Sequence, residues 1–254
     1  MPKKKKTKNS SKKIINLFIS DTQAPFNHPD TLDFLAAVKK ELQKVSKRIN
    51  GEIDVYHVGD EVDFNFLSNW AKDPDGYGSN EEYLYALDFM HQLYKLFPVV
   101  KACNSNHTDR VFRKAFDSQI PISFIKEKHE WMEAPKGWNW ADEHYTKDGI
   151  LVIHGDGLKG GLSMLNKAMK DNMCSVVFGH WHTMSKVEYF ANSKTLIFAA
   201  VVGCLIDHKL YAFKYQKKNM VKPILSILVT IDGVPKIVPM LLDDKGRWIK
   251  EVII

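Results

Sequence analysis

Cysteine is scarce in this chain. The 254 residues hold three, Cys103, Cys174 and Cys204, an odd number without CxxC spacing, each in or beside an apolar run. That excludes a disulfide scaffold and a thiolate zinc cluster, and leaves reduced thiols packed in a core. Long apolar runs are also missing. No stretch reaches the length of a membrane span or follows the pattern of a secretory leader, so a cytoplasmic setting without a membrane partner is expected. No internal repeat is visible, and no interior segment rich in Gly, Ser or Pro divides the chain. With 44% hydrophobic residues, residues 14–254 read as a single domain able to bury a full core.

Charge of one sign is also nearly absent once it is located. The formal net charge is +6, yet residues 1–13 alone hold seven lysines and no acid, so the rest of the chain sums to −1. The body is therefore close to neutral. Residues 1–13 contain only two apolar residues before Ile14, too little to fold around, and read as a solvated, disordered tail. Such a tail can attract nucleic acid or an acidic partner, and Pro2-Lys3-Lys4-Lys5-Lys6 has the form of a nuclear-import address.

What is present is a series of apolar runs, each ending in a polar cluster. The runs are Ile14 to Ser20, Ile53 to Val58, Pro98 to Ala102, Gly149 to Ile153 and Ser175 to Phe178. They read as buried parallel strands. The clusters are Asp21-Thr22-Gln23, Gly59-Asp60-Glu61-Val62-Asp63, Asn106-His107, His154-Gly155 and Gly179-His180-Trp181-His182. Parallel strands would gather them at one edge of one sheet. Helical patterns alternate with the strands, which predicts a layered α/β fold. Leu32, Leu35, Val38, Leu42 and Val45 repeat at helical spacing. Ser79 and Glu82 form a candidate capping box for a helix burying Leu84, Leu87, Met90 and Tyr94. Residues 111–145 give mixed helical and aromatic signals. The last third is β-rich, with runs at Thr195 to Val202 and Leu210 to Tyr215. A hairpin around Ile231-Asp232-Gly233 joins Ile224–Thr230 to Lys236–Leu242.

The chemistry of the clusters follows from residue type and spacing. Side chains two apart on a strand share a face, so Asp21 with Gln23, and His180 with His182, can point ligand pairs into one cavity. A carboxylate, neutral imidazoles and an amide oxygen suit Mn²⁺, Fe or Zn²⁺ better than copper. Asp60, placed after a glycine at a strand end, is the natural carboxylate to bridge two metals roughly 3.5–4 Å apart, the arrangement that serves in-line phosphoryl displacement.

In order and spacing, residues 21 to 182 resemble the calcineurin-like metallophosphoesterase superfamily, whose pattern runs D-x-H, G-D-x-x-D, G-N-H-D/E, H, and G-H-x-H. Gly59-Asp60-Glu61-Val62-Asp63-Phe64, Leu67-Ser68 and Asp73-Pro74 are similar to the wording of short single-domain phage and prophage members. The resemblance implies a sandwich of two mixed β-sheets flanked by α-helices, with the site at the C-terminal ends of strands. It implies two divalent cations, Mn²⁺ foremost and Mg²⁺, Fe or Zn²⁺ as alternatives. One would be held by Asp21, Asp60 and His182, with Gln23 where a histidine is usual, and the other by Asp60, Asn106, His154 and His180. It further implies attack by a metal-bridging hydroxide, His107 as the acid that serves the leaving group, and Asp63 as the carboxylate that orients it. For a phage-encoded chain the setting would be the host cytoplasm.

Three departures qualify the transfer. Gln23 offers a neutral amide, which hardens the first metal site and favours Mn²⁺ or Mg²⁺ over Zn²⁺. Ser105 and Thr108 replace the glycine and the acid around Asn-His, leaving Asp109 one place late. Phe64 stands where protein Ser/Thr phosphatases of the superfamily carry a phosphate-binding arginine, so Arg110 becomes the candidate phosphate contact, against an ordinary surface role. His28, in the loop after Asp21, is a second candidate for the substrate. Trp131, Trp138 and Trp140 read as core packing or a substrate platform. The reaction expected is phosphoester hydrolysis, first of nucleotides or another small phosphomonoester. The alternatives are a nuclease or phosphodiesterase using the lysine tail, a protein phosphatase, and a binding protein that kept the fold and lost the rate.

Overall fold

The computed structural model describes residues 12–70, 72–159, 161–207, 209 and 221–254. Most of the lysine-rich tail, His208 and the run Leu210 to Tyr215 lie outside the described residues. The first strand, β1 (Lys13–Ile19), is followed by helix α1 (Thr31–Ile49) and by β2 (Gly51–His57), which pairs in parallel with β1 so that Ile15 faces Ile53 and Phe18 faces Tyr56. Helix α1 forms because Phe34, Leu35, Val38, Leu42 and Val45 fall on one buried stripe. It stops at Asn50, whose left-handed backbone lets its N–H bond to the Ser46 carbonyl.

Helix α2 (Ser79–Leu96) crosses over to β3 (Val100–Cys103). Its buried stripe includes Leu87, Met90 and Tyr94, but Leu84 points to solvent. The Ser79–Glu82 capping box does not form: Gly78 occupies the cap position without a side-chain hydrogen bond. The buried Glu82 carboxylate instead accepts from the backbone N–H groups of Asn65 at 2.6 Å and Phe66 at 3.2 Å. These belong to a 3-10 turn over Asn65–Leu67.

Residues 110–145 resolve into α3 (Arg110–Asp117), α4 (Lys128–Trp131), β4 (Trp138–Ala141) and β5 (Glu143–Tyr145). Then come β6 (Leu151–Ile153), α5 (Met164–Asn172), β7 (Val176–Phe178), β8 (Lys186–Ala191) and β9 (Leu196–Val201). The hairpin of β10 (Ser226–Ile231) and β11 (Val234–Pro239) turns on Asp232 and Gly233, both at positive φ as a two-residue hairpin with right-handed strand twist requires.

Two mixed sheets result. One is ordered β11-β10-β1-β2-β3-β4 and the other β5-β6-β7-β9-β8. Alternation along the strands sorts the core into three slabs. Ile15, Leu17 and Ile19 pack outward against α1 and α2. Phe18, Tyr56 and Leu228 meet Val152, Val177 and Ala200 between the sheets. Val176, Phe178 and Val201 pack on α5. The layers are helix, sheet, sheet, helix. The expectation that all five clusters share one sheet is corrected here: β1, β2 and β3 belong to the six-stranded sheet, β6 and β7 to the other. A buried parallel strand has the same apolar signature in either sheet, so the sequence could not divide them.

A candidate metal centre between the two sheets

The chain leaves β1, β2 and β7 through sharp bends at polar residues. Asp21, Gln23, Asp60 and His180 all have left-handed backbones, with φ of 50°, 44°, 54° and 66°. Such conformations cost an L-residue about 1 kcal/mol or more and persist where surrounding contacts impose them. Glycine makes the close approaches possible. A Cβ on Gly59, at φ +101°, would stand 2.6 Å from His154 Nδ1 and 2.8 Å from Ser105 Cβ. One on Gly179 would collide with Ser20 Oγ and sit 2.6 Å from Asp21 Oδ2.

The bends converge. Ligand atoms of Asp21, Asp60 and His182 lie within 4.8 Å of one another, and so do those of Asp60, His154 and His180. Asp60 is common to both groups. His182 Nε2 is 3.0 Å from Asp21 Oδ1 and 3.1 Å from the Gln23 amide nitrogen. Asn106 Oδ1 is 2.9 Å from His154 Nε2. The sequence-nominated ligands Asp21, Gln23, Asp60, Asn106, His154, His180 and His182 are thus brought to one place.

The unsatisfied atoms fit a cation. Asp60 is fully buried, and its Oδ2 has no hydrogen-bond partner, lying 3.3 Å from His154 Nε2 and 3.8 Å from His107 Nε2. His180 Nδ1 is also buried and unpartnered. His154 Nδ1 lies 2.9 Å from the Val58 carbonyl; donating its proton there leaves the Nε2 lone pair facing the cluster, the usual orienting device of a ligand histidine. The buried carboxylates of Asp21 and Asp60 favour positive charge on the groups beside them. Burial opposes the charge on His154, yet Asp60 and Asp21 push its pKa up to about 10. Burial likewise works against the Asp60 carboxylate, but His107, His154 and Ser105 hold it well below the usual range. His180 is shifted down by burial and by the neighbouring His154.

Beside this cluster stands His107. Its Nδ1 is 3.1 Å from the Asp63 carbonyl and 3.5 Å from Asp63 Oδ1. Burial lowers its basicity, but Asp60 and Asp63 outweigh that and raise it. Arg110 is no surface arginine. Its Nη1 donates to Asp63 Oδ1 at 2.8 Å and to the Asp63 carbonyl at 2.7 Å, and its Nη2 is 3.3 Å from His107 Nε2. His28 is corrected: its ring is buried, with Nε2 3.0 Å from the Gly246 carbonyl and Nδ1 accepting from the Asp30 N–H at 3.2 Å, so it is spent on the scaffold. The tryptophans pack. Trp138 stacks edge-on with Tyr94 at 4.9 Å, Trp131 lies 5.4 Å from Phe64, and Trp140 Nε1 donates to Glu61 Oε1 at 2.9 Å.

Several supporting residues escaped the sequence reading. Ser20 donates to Asp21 Oδ2, and Ser105, counted above as a departure, accepts the Asp60 N–H at 2.9 Å. Lys128 is buried and reaches Asn104 Oδ1 at 2.7 Å, Thr108 Oγ1 at 3.2 Å and Asp109 Oδ1 at 3.4 Å, tying down the loop that carries Asn106 and His107. In sequence the serines are marked only by standing next to motif residues, and Lys128, far from any of them, carries no mark at all.

Fold and site together define an α/β sandwich of two mixed sheets with a candidate Asp/His metal-binding centre at strand ends. No protein-family model matches the chain, and no curated protein matches it. Among solved structures it is similar to Vps29 of Chaetomium thermophilum, with 11% identity over 94% of this chain and 95% of that one, at a TM-score of 0.46. Among the described residues no helix is long and apolar enough to cross a membrane.

Proposed function

We propose that this chain is a metal-dependent phosphoester hydrolase of the calcineurin-like metallophosphoesterase superfamily. The observation that supports it most is the sharing of Asp60 by two groups of ligand atoms, each within 4.8 Å, beside a histidine held by a second carboxylate. On this reading Asp21, Asp60 and His182 hold one divalent cation, with the Gln23 amide beside them, and Asp60, Asn106, His154 and His180 hold the other. When bound, such a pair polarises a phosphoryl oxygen and makes hydroxide available at neutral pH. Mn²⁺ fits the oxygen-rich set that Gln23 creates.

The chain's own residues do the rest. Asp63 accepts a hydrogen bond from His107 Nδ1–H through its carbonyl, with its carboxylate 3.5 Å away, which leaves Nε2 turned toward Asp60 and the position of the substrate. A proton on Nε2 is then available to the departing alkoxide, a role worth typically 10²–10⁴-fold in rate. Arg110, fixed on Asp63, adds a cation that a phosphate oxygen can meet beside His107. Burial of Asp21, Asp60 and Asp63 excludes water from behind the reacting group. The substrate carries a phosphoester, and a nucleotide, free or within a strand, is the form of it expected here.

Metal titration and hydrolysis test this together. Purified protein is expected to bind two Mn²⁺ per chain by calorimetry, and Asp60→Asn to weaken both sites. Hydrolysis of a panel of mononucleotides, a bis-ester and a phosphopeptide is expected to fall by at least 10²-fold in His107→Ala. A protein that binds no Mn²⁺ and hydrolyses none of the panel is a binding protein on this fold, and the proposal fails.

A further inference from the structure

A groove of about 1060 Å³ opens beside the centre. Asn106 and Arg110 belong to both, so the groove adjoins the centre. One wall is the face of α3, where Arg110, Arg113 and Lys114 recur at helical spacing; the opposite wall runs through Leu67 to Trp70. Lys114 Nζ reaches across to Asn69 Oδ1. Trp140 contributes to the lining below.

We infer that this groove binds single-stranded nucleic acid and leads one phosphodiester of the strand to the centre. The inference rests on the hydrolase reading and adds the substrate class. Size argues first: ligand pockets for single small molecules run from about 300 to 1000 Å³, and this groove lies at or beyond that upper bound before the metal site itself is counted. The aromatics argue second. Trp70 is 82% exposed and Phe116 79% exposed, both on the groove rim. Large aromatic faces left in water beside a site are the form a base-stacking platform takes.

Charge argues third, and it sets a limit. The lining carries four cations, Arg110, Arg113, Lys114 and Lys128, against Asp109, Asp117 and Glu127, and Lys128 is already 3.4 Å from Asp109. Arg113 is engaged with the Asn106 carbonyl. One or two phosphates can therefore be neutralised here, so stacking carries most of the affinity. A small ionic component separates this groove from the lysine-rich segment before Ile14, whose seven lysines would give a steep dependence on salt.

The experiment uses the full chain in EDTA and a fluorescein-labelled mixed-sequence 12-nucleotide single strand, read by anisotropy over a salt series. Binding is expected with a log-log salt slope shallower than about −2, and more tightly than to a duplex of the same sequence. Trp70→Ala and Phe116→Ala, both exposed positions that folding tolerates, are each expected to weaken the strand about tenfold. Lys114→Gln is expected to flatten the slope by about 0.7. Affinity unchanged by these substitutions overturns the inference, as does a steep slope that disappears when residues 1–11 are deleted. Mn²⁺-loaded protein that hydrolyses mononucleotides while the strand fails to bind overturns the groove and leaves the hydrolase standing. Strand binding lost in the aromatic variants, in a protein that hydrolyses no phosphoester, supports the groove and sinks the hydrolase.

Discussion

Gln23 shows how much one side chain can change at a fixed backbone. Its left-handed φ and its distance of 3.1 Å from His182 put an amide where the metallophosphoesterase pattern that the sequence resembles has an imidazole. An amide oxygen is a harder and weaker ligand, so restoring nitrogen should shift metal preference. Gln23→His is expected to tighten Zn²⁺ by about tenfold or more with little change for Mg²⁺. Competition with a chromophoric chelator measures both, and equal affinities before and after the substitution would place Gln23 outside the coordination sphere. Gly59 makes the complementary point. Its positive φ and its contacts with His154 and Ser105 leave no room for a Cβ, so a glycine in a motif reports the packing behind Asp60.

Among the elements, the turn over Asn65–Leu67 and helix α2 are joined by one carboxylate. Burial pushes the Glu82 pKa up to about 7, with Asp63 adding to it and the N–H groups of Asn65 and Phe66 opposing. Its folded value stands above the 4.5 of the free side chain, so the stability it lends is fully present below about pH 4.5 and is lost as pH rises through about 7. Glu82→Gln removes that loss. The variant is expected to cost about 1 kcal/mol at pH 5, because an NH2 replaces one of the two oxygens that accept the Asn65 and Phe66 N–H groups, and to be more stable than the parent by about 1 kcal/mol at pH 8. Urea unfolding at the two pH values checks this; a difference that does not change with pH would mean that Glu82 is ionised throughout.

For the molecule as a whole, the C-terminal segment closes on the start of α1. Arg247 Nε donates to Asp30 Oδ2 at 2.8 Å, its Nη2 donates to Oδ1, the Trp248 N–H donates to Oδ2 at 2.9 Å, and the Trp248 ring meets Phe34 edge-on at 5.6 Å. The hydrogen bonds from Arg247 outweigh burial and hold Asp30 at about 2. Its folded value is depressed below 3.8, so this stability is present above pH 3.8 and lost as pH falls through about 2. Arg247 is largely exposed, which screens the pair, so Asp30→Asn is expected to cost about 1 kcal/mol at pH 7. Thermal unfolding should show the parent and variant converging toward pH 2, and equal stabilities at pH 7 would assign the segment's attachment to the Trp248 ring and the His28–Gly246 contact.

The Asp and His residues of the candidate centre, the strands that precede them and the main crossover helix were readable in the chain because each is local. Strand alternation, helical spacing and motif order need no partner to be recognised. The division of those strands between two sheets, the diversion of Glu82 from its own helix cap to the 65–67 turn, the engagement of Arg110 with Asp63 and the withdrawal of His28 to Gly246 all needed the folded chain. Each depends on which distant groups meet once the apolar slabs have packed, and a titratable or polar side chain takes its role from that company. Residue type sets what chemistry a side chain offers. Its neighbours across the sandwich determine whether it offers that chemistry to a metal, to a substrate or to the scaffold.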